Sequence, residues 1–294
     1  MSSTVVGPAA LAAATRIYRA TPFRRLREAY FQLFLRLVRG RRVVRTVEGM
    51  TFDLDLGEMI DVGLFLQQYE RDIVALVERL TQPGWTVFDI GANIGAHTVR
   101  FSRLVGARGR VFAFEPMDYA FNKLTRNLSL NDAQNTRAFK LALSDENDDA
   151  RRVNYRSSWS TTGERRAESS SVEFKRLDDW CIEHDITRVD LIKLDVDGHE
   201  WQVLKGGLTS MNRHRPIVLI EAGAWHFTSR ETNPLEVLVT SGYKLWETTT
   251  GAELDISAVR QRLPERDEEM AYSINLVAST TPLKNLPAGV RHAS

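Results

Sequence analysis

From about residue 50 onward, short apolar runs alternate with longer stretches in which apolar residues recur every three or four positions. Short runs rich in β-branched and aromatic residues predict strands, and the wider spacing predicts helices between them. The expected strands are TVFDI at 86–90 and the segments 109–116, 136–145, 189–197, 215–223, 243–249 and 271–279. This alternation is typical of an α/β fold in which helices cover a mostly parallel sheet.

The last two expected strands are joined by a long polar loop and not by a helical pattern. A strand that is reached without a crossover helix is expected to run antiparallel to its neighbours. The prediction is therefore a Rossmann-like, seven-stranded, mostly parallel sheet whose last strand is antiparallel. No repeat or low-complexity linker interrupts residues 50–294, which we expect to form one domain with a hairpin inserted at about residues 146–176.

Residues 1–49 differ from the rest, since ten arginines and a single acidic residue, Glu28, fall between Arg16 and Arg45. We expect this basic extension to be partly helical, with an amphipathic helix over residues 22–39 that begins at Pro22. The apolar positions that share one face of this helix are 23, 26, 30, 33, 34, 37 and 38. That face could pack on the main domain, or the helix could lie on an anionic membrane surface.

Composition narrows the class of protein. Among 294 residues, 43% are hydrophobic and 26% are charged, and the net charge of +1 argues against a nucleic-acid binder. The single cysteine, Cys181, excludes a disulfide framework and a cysteine-rich zinc site, and we expect it to be a buried thiol. With no long apolar run and no basic signal region at the N-terminus, the expected location is the cytoplasm, with peripheral contact at the inner membrane face as an alternative.

The stretch TVFDIGANIGAHT, residues 86–98, places a glycine turn between a strand and a helix, which is a common anion cradle. Gly91 matches the first glycine of the dinucleotide fingerprint, but Asn93 stands where its second glycine is needed, and Asp89 would repel phosphate. The turn therefore favours a cationic ligand without phosphates, such as S-adenosylmethionine. Asp89 and Asn93 could hold its ammonium group, and the helix amides after Gly95 its carboxylate.

Five motifs in this order resemble the FkbM-type methyltransferases, within the class I S-adenosylmethionine-dependent fold. They are FDLDL with Tyr69-Glu70, VFDIGANIGAHT, VFAFEP, LALSD and DLIKLDVDGHEWQVLKGG, and they cover roughly residues 52–221. At Asp197 the family usually carries Glu, so the charge is kept and the reach is shorter. The resemblance implies methylation of a hydroxyl on a small-molecule or glycan acceptor: a sugar, a glycolipid or a polyketide-type molecule.

Further cofactor contacts are expected at the ends of the next strands. Glu115 ends the second strand, where its carboxylate could accept both ribose hydroxyls. Asp145, with the backbone around Leu143 and Ser144, ends the third strand, where an adenine amino group would lie, although this segment also reads as a turn. Asp195 ends the fourth strand, beside the point where the strand order reverses, and should face the methyl donor.

Transfer to a hydroxyl also requires that its proton be removed, by a base or with the help of a metal. The candidate catalytic residues are Asp195, His199 and Glu221, and His226 is a further candidate base. Methyl transfer to nitrogen, and a binding-only module that retains the donor pocket, are the alternatives.

A metal site is a second possibility at these strand ends. Asp195 and Glu221 lie on neighbouring strands and could share Mg²⁺. Asp197 and Glu200 could complete that site, or could cap the helix that follows. For Lys193, inside the fourth strand, we expect packing or a salt bridge.

Overall fold

The computed structural model describes residues 24–38, 40–159, 165–265 and 272–283. Its α-helices are α1 Arg24–Val38, α2 Met59–Leu66, α3 Arg71–Leu80, α4 Ala96–Val105, α5 Asp118–Leu130, α6 Leu177–Glu183, α7 Glu200–Gly206, α8 Leu208–His214, α9 Pro234–Thr240 and α10 Ile256–Gln261. A 3₁₀ turn covers Ala224–Phe227. Within these ranges, no helix is both long and apolar enough to cross a bilayer.

The strands are β1 Arg42–Val47, β2 Met50–Asp55, β3 Thr86–Ile90, β4 Arg110–Phe114, β5 Thr136–Phe139, β6 Ala142–Ser144, β7 Asp148–Trp159, β8 Arg165–Arg176, β9 Leu191–Leu194, β10 Ile217–Gly223, β11 Lys244–Glu247, β12 Glu253–Leu254 and β13 Ser273–Ser279. They form a two-stranded hairpin of β1 and β2, an eight-stranded sheet, and a small sheet in the order β6-β8-β7. β7 and β8 lie where the inserted hairpin was expected. From the sequence, Trp159 of this hairpin could stack on a sugar or macrocycle or pack on the hairpin itself, but its side chain lies outside the described residues.

The chain divides into two compact units, residues 1–69 with 156–167 and residues 70–155 with 168–294. The first unit extends beyond the predicted limit at residue 49, because β2 pairs antiparallel with β1 along its whole length. The predicted boundary at residue 49 lies in the turn between β1 and β2, and a domain boundary there would separate two paired strands.

Helix α1 belongs to the first unit, and it buries only part of the predicted apolar face, together with Leu35. Phe34, Leu35 and Val38 are buried, whereas Leu33 and Leu37 are 54% and 55% exposed. Sequence spacing had grouped Leu33 and Leu37 with Phe34 and Val38. The helix therefore carries two leucines, one turn apart, on its exposed side; residues 22, 23 and 39 of the expected helix lie outside the described residues.

The second unit is built on the large sheet, whose strand order is β12-β11-β13-β10-β9-β3-β4-β5. β13 runs antiparallel to both β10 and β11, which confirms the predicted antiparallel last strand. All seven expected strands are present, and the two-residue β12 makes an eighth at the edge. The loop before the last strand does contain a helix, α10, because the Asp255 carboxylate caps it by accepting from the N–H of Ala258 at 2.6 Å.

Two predicted elements are broken in the structure. The expected third strand, 136–145, divides because β6 leaves the large sheet and pairs in parallel with β8. There the carbonyl of Ser144 packs against α7, so closely that a Cβ at Gly206 would lie 1.8 Å from its oxygen. The helix expected after the fourth strand ends at Gly206, and a second helix, α8, begins after Gly207.

The two faces of the sheet have different environments. One face packs on an aromatic cluster in which Phe114 and Trp180 meet edge to face at 4.8 Å. Cys181 lies in this cluster at 5% exposure, and burial raises the pKa of its thiol to about 11, which confirms the expected buried thiol. The opposite face is apolar at Val87, Leu191 and Leu219, where it packs with α3 and α4. Two residues further along the same three strands, this face becomes polar, and the candidate site begins there.

Candidate active site

The polar end of the sheet collects side chains from neighbouring strands. Asp89 on β3, Lys193 on β9 and Glu221 on β10 lie on one face, and Asp195 follows the end of β9. The chain runs from β3 outward to β4 and β5 on one side, and returns to β9 and β10 on the other. Strand order thus reverses between β3 and β9, where open α/β sheets bind their ligands. Asp195 lies beside this point, as expected.

The glycine turn has a left-handed backbone with little room around it. Gly91, Asn93 and Gly95 have positive φ values of 81°, 48° and 84°. A Cβ at Gly91 would lie 1.8 Å from the carbonyl oxygen of Asp195, so glycine is required for packing as well as for conformation. The end of β3 and the loop after β9 are therefore in direct contact.

Glu115 fastens the glycine turn to the end of β4. Its Oε2 accepts from the N–H of Asn93 and its Oε1 from the N–H of Met117, both at 2.9 Å. Burial nevertheless raises the pKa of Glu115 to about 7. Since each carboxylate oxygen can accept a second hydrogen bond, the predicted contact with ribose hydroxyls is chemically compatible with this arrangement.

Asp89 shows a buried carboxylate oxygen that a ligand could satisfy. Its Oδ2 accepts from Thr98 Oγ1 at 2.6 Å, while its Oδ1 has no hydrogen-bond partner among the described residues. The side chain is 1% exposed, and burial raises its pKa against the opposing effect of Lys193. A buried, half-satisfied carboxylate beside a glycine turn fits the ammonium group of S-adenosylmethionine.

Of the residues expected near adenine, Asp145 alone keeps a partly exposed side chain, and Leu143 and Ser144 are expected to contribute their backbone. Leu143 and Ser144 are buried, and Ser144 Oγ lies 3.0 Å from His199 Nε2. Asp145 is partly exposed and accepts from Lys205 Nζ at 3.0 Å. Side-chain contact with a ligand at this strand end is thus left to Asp145.

His199 does not lie in the carboxylate cluster. Its ring contacts Ser144 and, edge to face at 5.9 Å, Phe174 of β8. Burial lowers the pKa of His199, which favours its neutral imidazole. The candidate bases Asp195 and Glu221, by contrast, are brought together.

Asp195, Asp197 and Glu221 form the carboxylate cluster, in which one ligand atom from each residue lies within 4.8 Å of the others. Burial and the neighbouring Asp195 raise the pKa of Glu221 to about 8, although Ser273 donates to its Oε1. Lys193 Nζ donates to Asp195 Oδ2 at 2.7 Å, which is the salt bridge expected as one role of this lysine. The cluster could hold a divalent cation, but one oxygen of Asp195 already has a positive partner.

Glu200 and His226 lie beneath the loop that carries this cluster. Glu200 accepts from the N–H groups of Val196 and Gly198 at 3.0 Å. Both donors precede α7, whose N-terminus has no side-chain cap, so Glu200 fixes the loop before the helix and does not cap the helix itself. Its Oε2 lies 2.7 Å from His226 Nε2, and both side chains are buried. His226, which was a candidate base, therefore has its ring nitrogen engaged inside the protein.

Two residues that form hydrogen bonds beside the turn were not predicted from the sequence. Asn127 is fully buried on α5, and its Nδ2 donates to the carbonyl of Ile94 at 2.8 Å. Thr98, the partner of Asp89, lies in the first turn of α4. The contact of Thr98 could have been predicted, because a threonine one turn after a glycine loop can form a hydrogen bond across it. The contact of Asn127 could not, because its partner is 33 positions away in the sequence.

Comparison with known proteins agrees with this geometry. The family model of the methyltransferase FkbM domain matches residues 89–268. The 2-O-methyltransferase NoeI of Sinorhizobium fredii is 32% identical over 167 residues, which are 49% of this chain and 65% of that protein. The hexuronic acid methyltransferase AglP of Haloferax volcanii is 26% identical over 53% of this chain and 63% of its own.

The methyltransferase sdnD of Sordaria araneosa is 30% identical over 41% of this chain. The matched part spans 59% of sdnD, and the chain covers less than two thirds of each of these three relatives. The family match covers more than half of the chain and includes the glycine turn, Glu115, Asp195 and Glu221. The chain belongs to the FkbM methyltransferase family.

Proposed function

We propose that this protein transfers a methyl group from S-adenosylmethionine to a hydroxyl group of a sugar-type acceptor. The observation that carries the proposal is the half-satisfied carboxylate of Asp89, buried beneath a glycine turn at the point where strand order reverses. That position suits the cationic end of the donor. Family membership supports methyl transfer as the chemistry.

The donor would lie across the ends of β3 and β4. Asp89 would accept from its ammonium group, the first amides of α4 would meet its carboxylate, and Glu115 would accept from its ribose hydroxyls. S-adenosylmethionine supplies an already activated methyl group, so the protein has mainly to align the acceptor with it and remove a proton.

Glu221 is the base that we favour for proton removal. It is partly buried, it lies in the carboxylate cluster beside Asp195, and burial together with Asp195 raises its pKa to about 8. A base of that pKa is well matched to an acceptor that must lose a proton near neutral pH. Asp195 is the alternative, whereas His199 is separated from the cluster by its contacts with Ser144 and Phe174.

The acceptor class is inferred from relatives. One is a 2-O-methyltransferase and another acts on a hexuronic acid by name, which favours a sugar hydroxyl over a polyketide-type alcohol or an amine. A glycolipid acceptor would fit a protein that works at a membrane surface. A module that binds the donor without turnover is the remaining alternative.

We also propose that the protein is cytoplasmic and contacts the inner membrane face through α1. Leu33 and Leu37 are exposed one turn apart, and Arg36 between them is exposed too. The excess of arginines in residues 16–45 supplies the charge that anionic lipid headgroups attract. Two leucines with flanking arginines match a helix that lies in the interface.

Calorimetric titration with S-adenosylmethionine tests the donor site. We expect binding by the full chain, and a loss of about 10-fold or more in Asp89→Asn, since the hydrogen bond to the ammonium is charge-assisted. Asp190→Asn is the matched control, because Asp190 accepts from the N–H of Thr86 at the opposite end of the same strands. Absence of binding by the unchanged chain would remove the proposal.

Donor consumption with sugar, lipid-linked glycan, polyketide alcohol and amine acceptors then tests the chemistry. The proposal expects turnover with the hydroxyl of a sugar or glycolipid. Donor binding without turnover of any of these acceptors would favour the binding-only module. Turnover with amines alone would favour methyl transfer to nitrogen.

A further inference from the structure

Lys193 places a positive charge inside the acidic end of the sheet. It sits in the middle of β9, its side chain is 6% exposed, and its Nζ donates to Asp195 Oδ2 at 2.7 Å. Asp89 is its neighbour in register on β3 and lies on the same face. A lysine in this position is surrounded by acidic groups rather than by solvent.

The neighbouring carboxylates account for the retention of this buried cation. Besides Asp195, both Glu70 and Asp89 attract the ammonium group, and Lys193 in turn stabilises the charged form of Glu221. A buried ammonium is strongly unfavourable unless such partners surround it. The carboxylates in turn depend on Lys193, because they repel one another unless a positive charge lies among them.

Metal-dependent sites of this kind meet that need with a divalent cation held between carboxylates. Here Asp195, Asp197 and Glu221 approach within 4.8 Å, as such ligands do, but the ammonium already occupies one oxygen of Asp195. A divalent cation bound to Asp195 would lie close to Lys193 and be repelled by it.

We propose that Lys193 takes the place of a divalent cation in this cluster, and that it acts as a positioning residue which holds the Asp195 carboxylate beside the donor. Its effect on methyl transfer rests on the proposed function, but its exchange with a metal does not. The ammonium group fixes one Asp195 oxygen, and the other would be left for the donor.

Thermal unfolding of the full chain with Mg²⁺, Mn²⁺ or a chelator tests the exchange. The Tm of the unchanged chain should be the same in all three. Lys193→Met should lower the Tm, and Mg²⁺ or Mn²⁺ should restore part of it, because removal of the ammonium leaves an anionic cluster open to a cation. Lys193→Met with Asp195→Asn should lose the response to metal.

Two further variants keep the test decisive. Lys193→Arg retains the charge and should keep most of the Tm without metal, which a purely steric role would not predict. Lys244→Met removes an exposed salt bridge to Glu253 and serves as the matched control. If Lys193→Met does not fold, the metal response of the unchanged chain and the Tm of Lys193→Arg still decide.

Donor titration separates positioning from packing. Lys193→Met should weaken S-adenosylmethionine binding about as much as Asp195→Asn does, and the double variant should be no weaker than either. Additive losses would overturn the proposed action through Asp195. A Tm of the unchanged chain that rises with Mg²⁺, or a Lys193→Met protein that metal fails to stabilise, would overturn the exchange, whatever the outcome for methyl transfer.

Discussion

The Glu200 carboxylate lies 2.7 Å from His226 Nε2, and both side chains are at most 5% exposed. His226 Nδ1 accepts from the N–H of Gly223 at 3.3 Å, and its Nε2 lies between the Glu200 carboxylate and the indole N–H of Trp225, which donates to it at 3.0 Å. The other acceptor sites of Glu200 hold the N–H groups of Val196 and Gly198. This pair therefore joins β10 to the loop that presents Asp195 and Asp197.

Glu200→Gln should destabilise the protein by about 3 kcal/mol, because the amide places an N–H against backbone donors that the carboxylate accepts from. Donor binding should weaken as well, since the loop bearing Asp195 loses its anchor. Denaturant unfolding measures the first effect. Arg230→Ala breaks an exposed ion pair with Glu236 and should cost less than about 1 kcal/mol; equal losses in both variants would contradict the role given to Glu200.

Gly91→Ala should prevent normal folding, because its Cβ would lie 1.8 Å from the carbonyl oxygen of Asp195. Gly84→Ala is the matched control. Its φ of 82° is almost the same as that of Gly91, but no atom lies within 4 Å of the added Cβ. The control should lose only about 1 kcal/mol for its backbone conformation. Circular dichroism melts of the two variants should differ widely, and similar melts would show that contact with Asp195 is unimportant.

Glu115 should make stability depend on pH. Burial raises its pKa from an ordinary 4.5 to about 7 in the folded protein, so the folded state binds the proton more tightly than the unfolded state. Its contribution is then fully present below about pH 4.5 and is lost as the pH rises through 7. Glu115→Gln should remove this part of the pH dependence in denaturant titrations between pH 5 and pH 8; an identical slope would refute the assignment.

Leu33 and Leu37 should bind the protein to anionic vesicles. A double variant, Leu33→Ser with Leu37→Ser, should co-sediment several-fold less with vesicles that contain phosphatidylserine, while its Tm changes little because both side chains are exposed. Leu208→Ser alters an exposed leucine of the other unit and should leave binding unchanged. Equal sedimentation with neutral and anionic vesicles would count against an electrostatic contribution.

Much of this fold can be predicted from the sequence, because β-rich runs and helical spacing report directly on which faces are buried. The seven expected strands follow from that pattern. The departure of β6 from the sheet does not, since it depends on pairing with β8, some 30 positions away. Helix α10 was missed for a different reason, because its capping residue, Asp255, is a local signal that the polar composition of the loop obscured.

Part of the candidate site could likewise be predicted from the sequence, and part could not. Asp89, Glu115, Asp195 and Glu221 could be placed in advance, because each ends a strand of a parallel sheet and such ends meet at one edge. The roles of Lys193 and Glu200 could not be chosen among alternatives from spacing alone. Each depends on contacts across strands or loops, which only the packed structure specifies.

Asn93 and Ile94, within the glycine turn, are hydrogen-bonded by Glu115 and Asn127 from outside the turn. Because these bonds form within the protein alone, the turn has its shape before any donor arrives. Binding then loses little backbone entropy, and affinity is governed by the few polar groups that the donor meets. Variants of Asn127 should accordingly slow donor capture and make its binding entropy less favourable, even though Asn127 is too deeply buried to touch the donor.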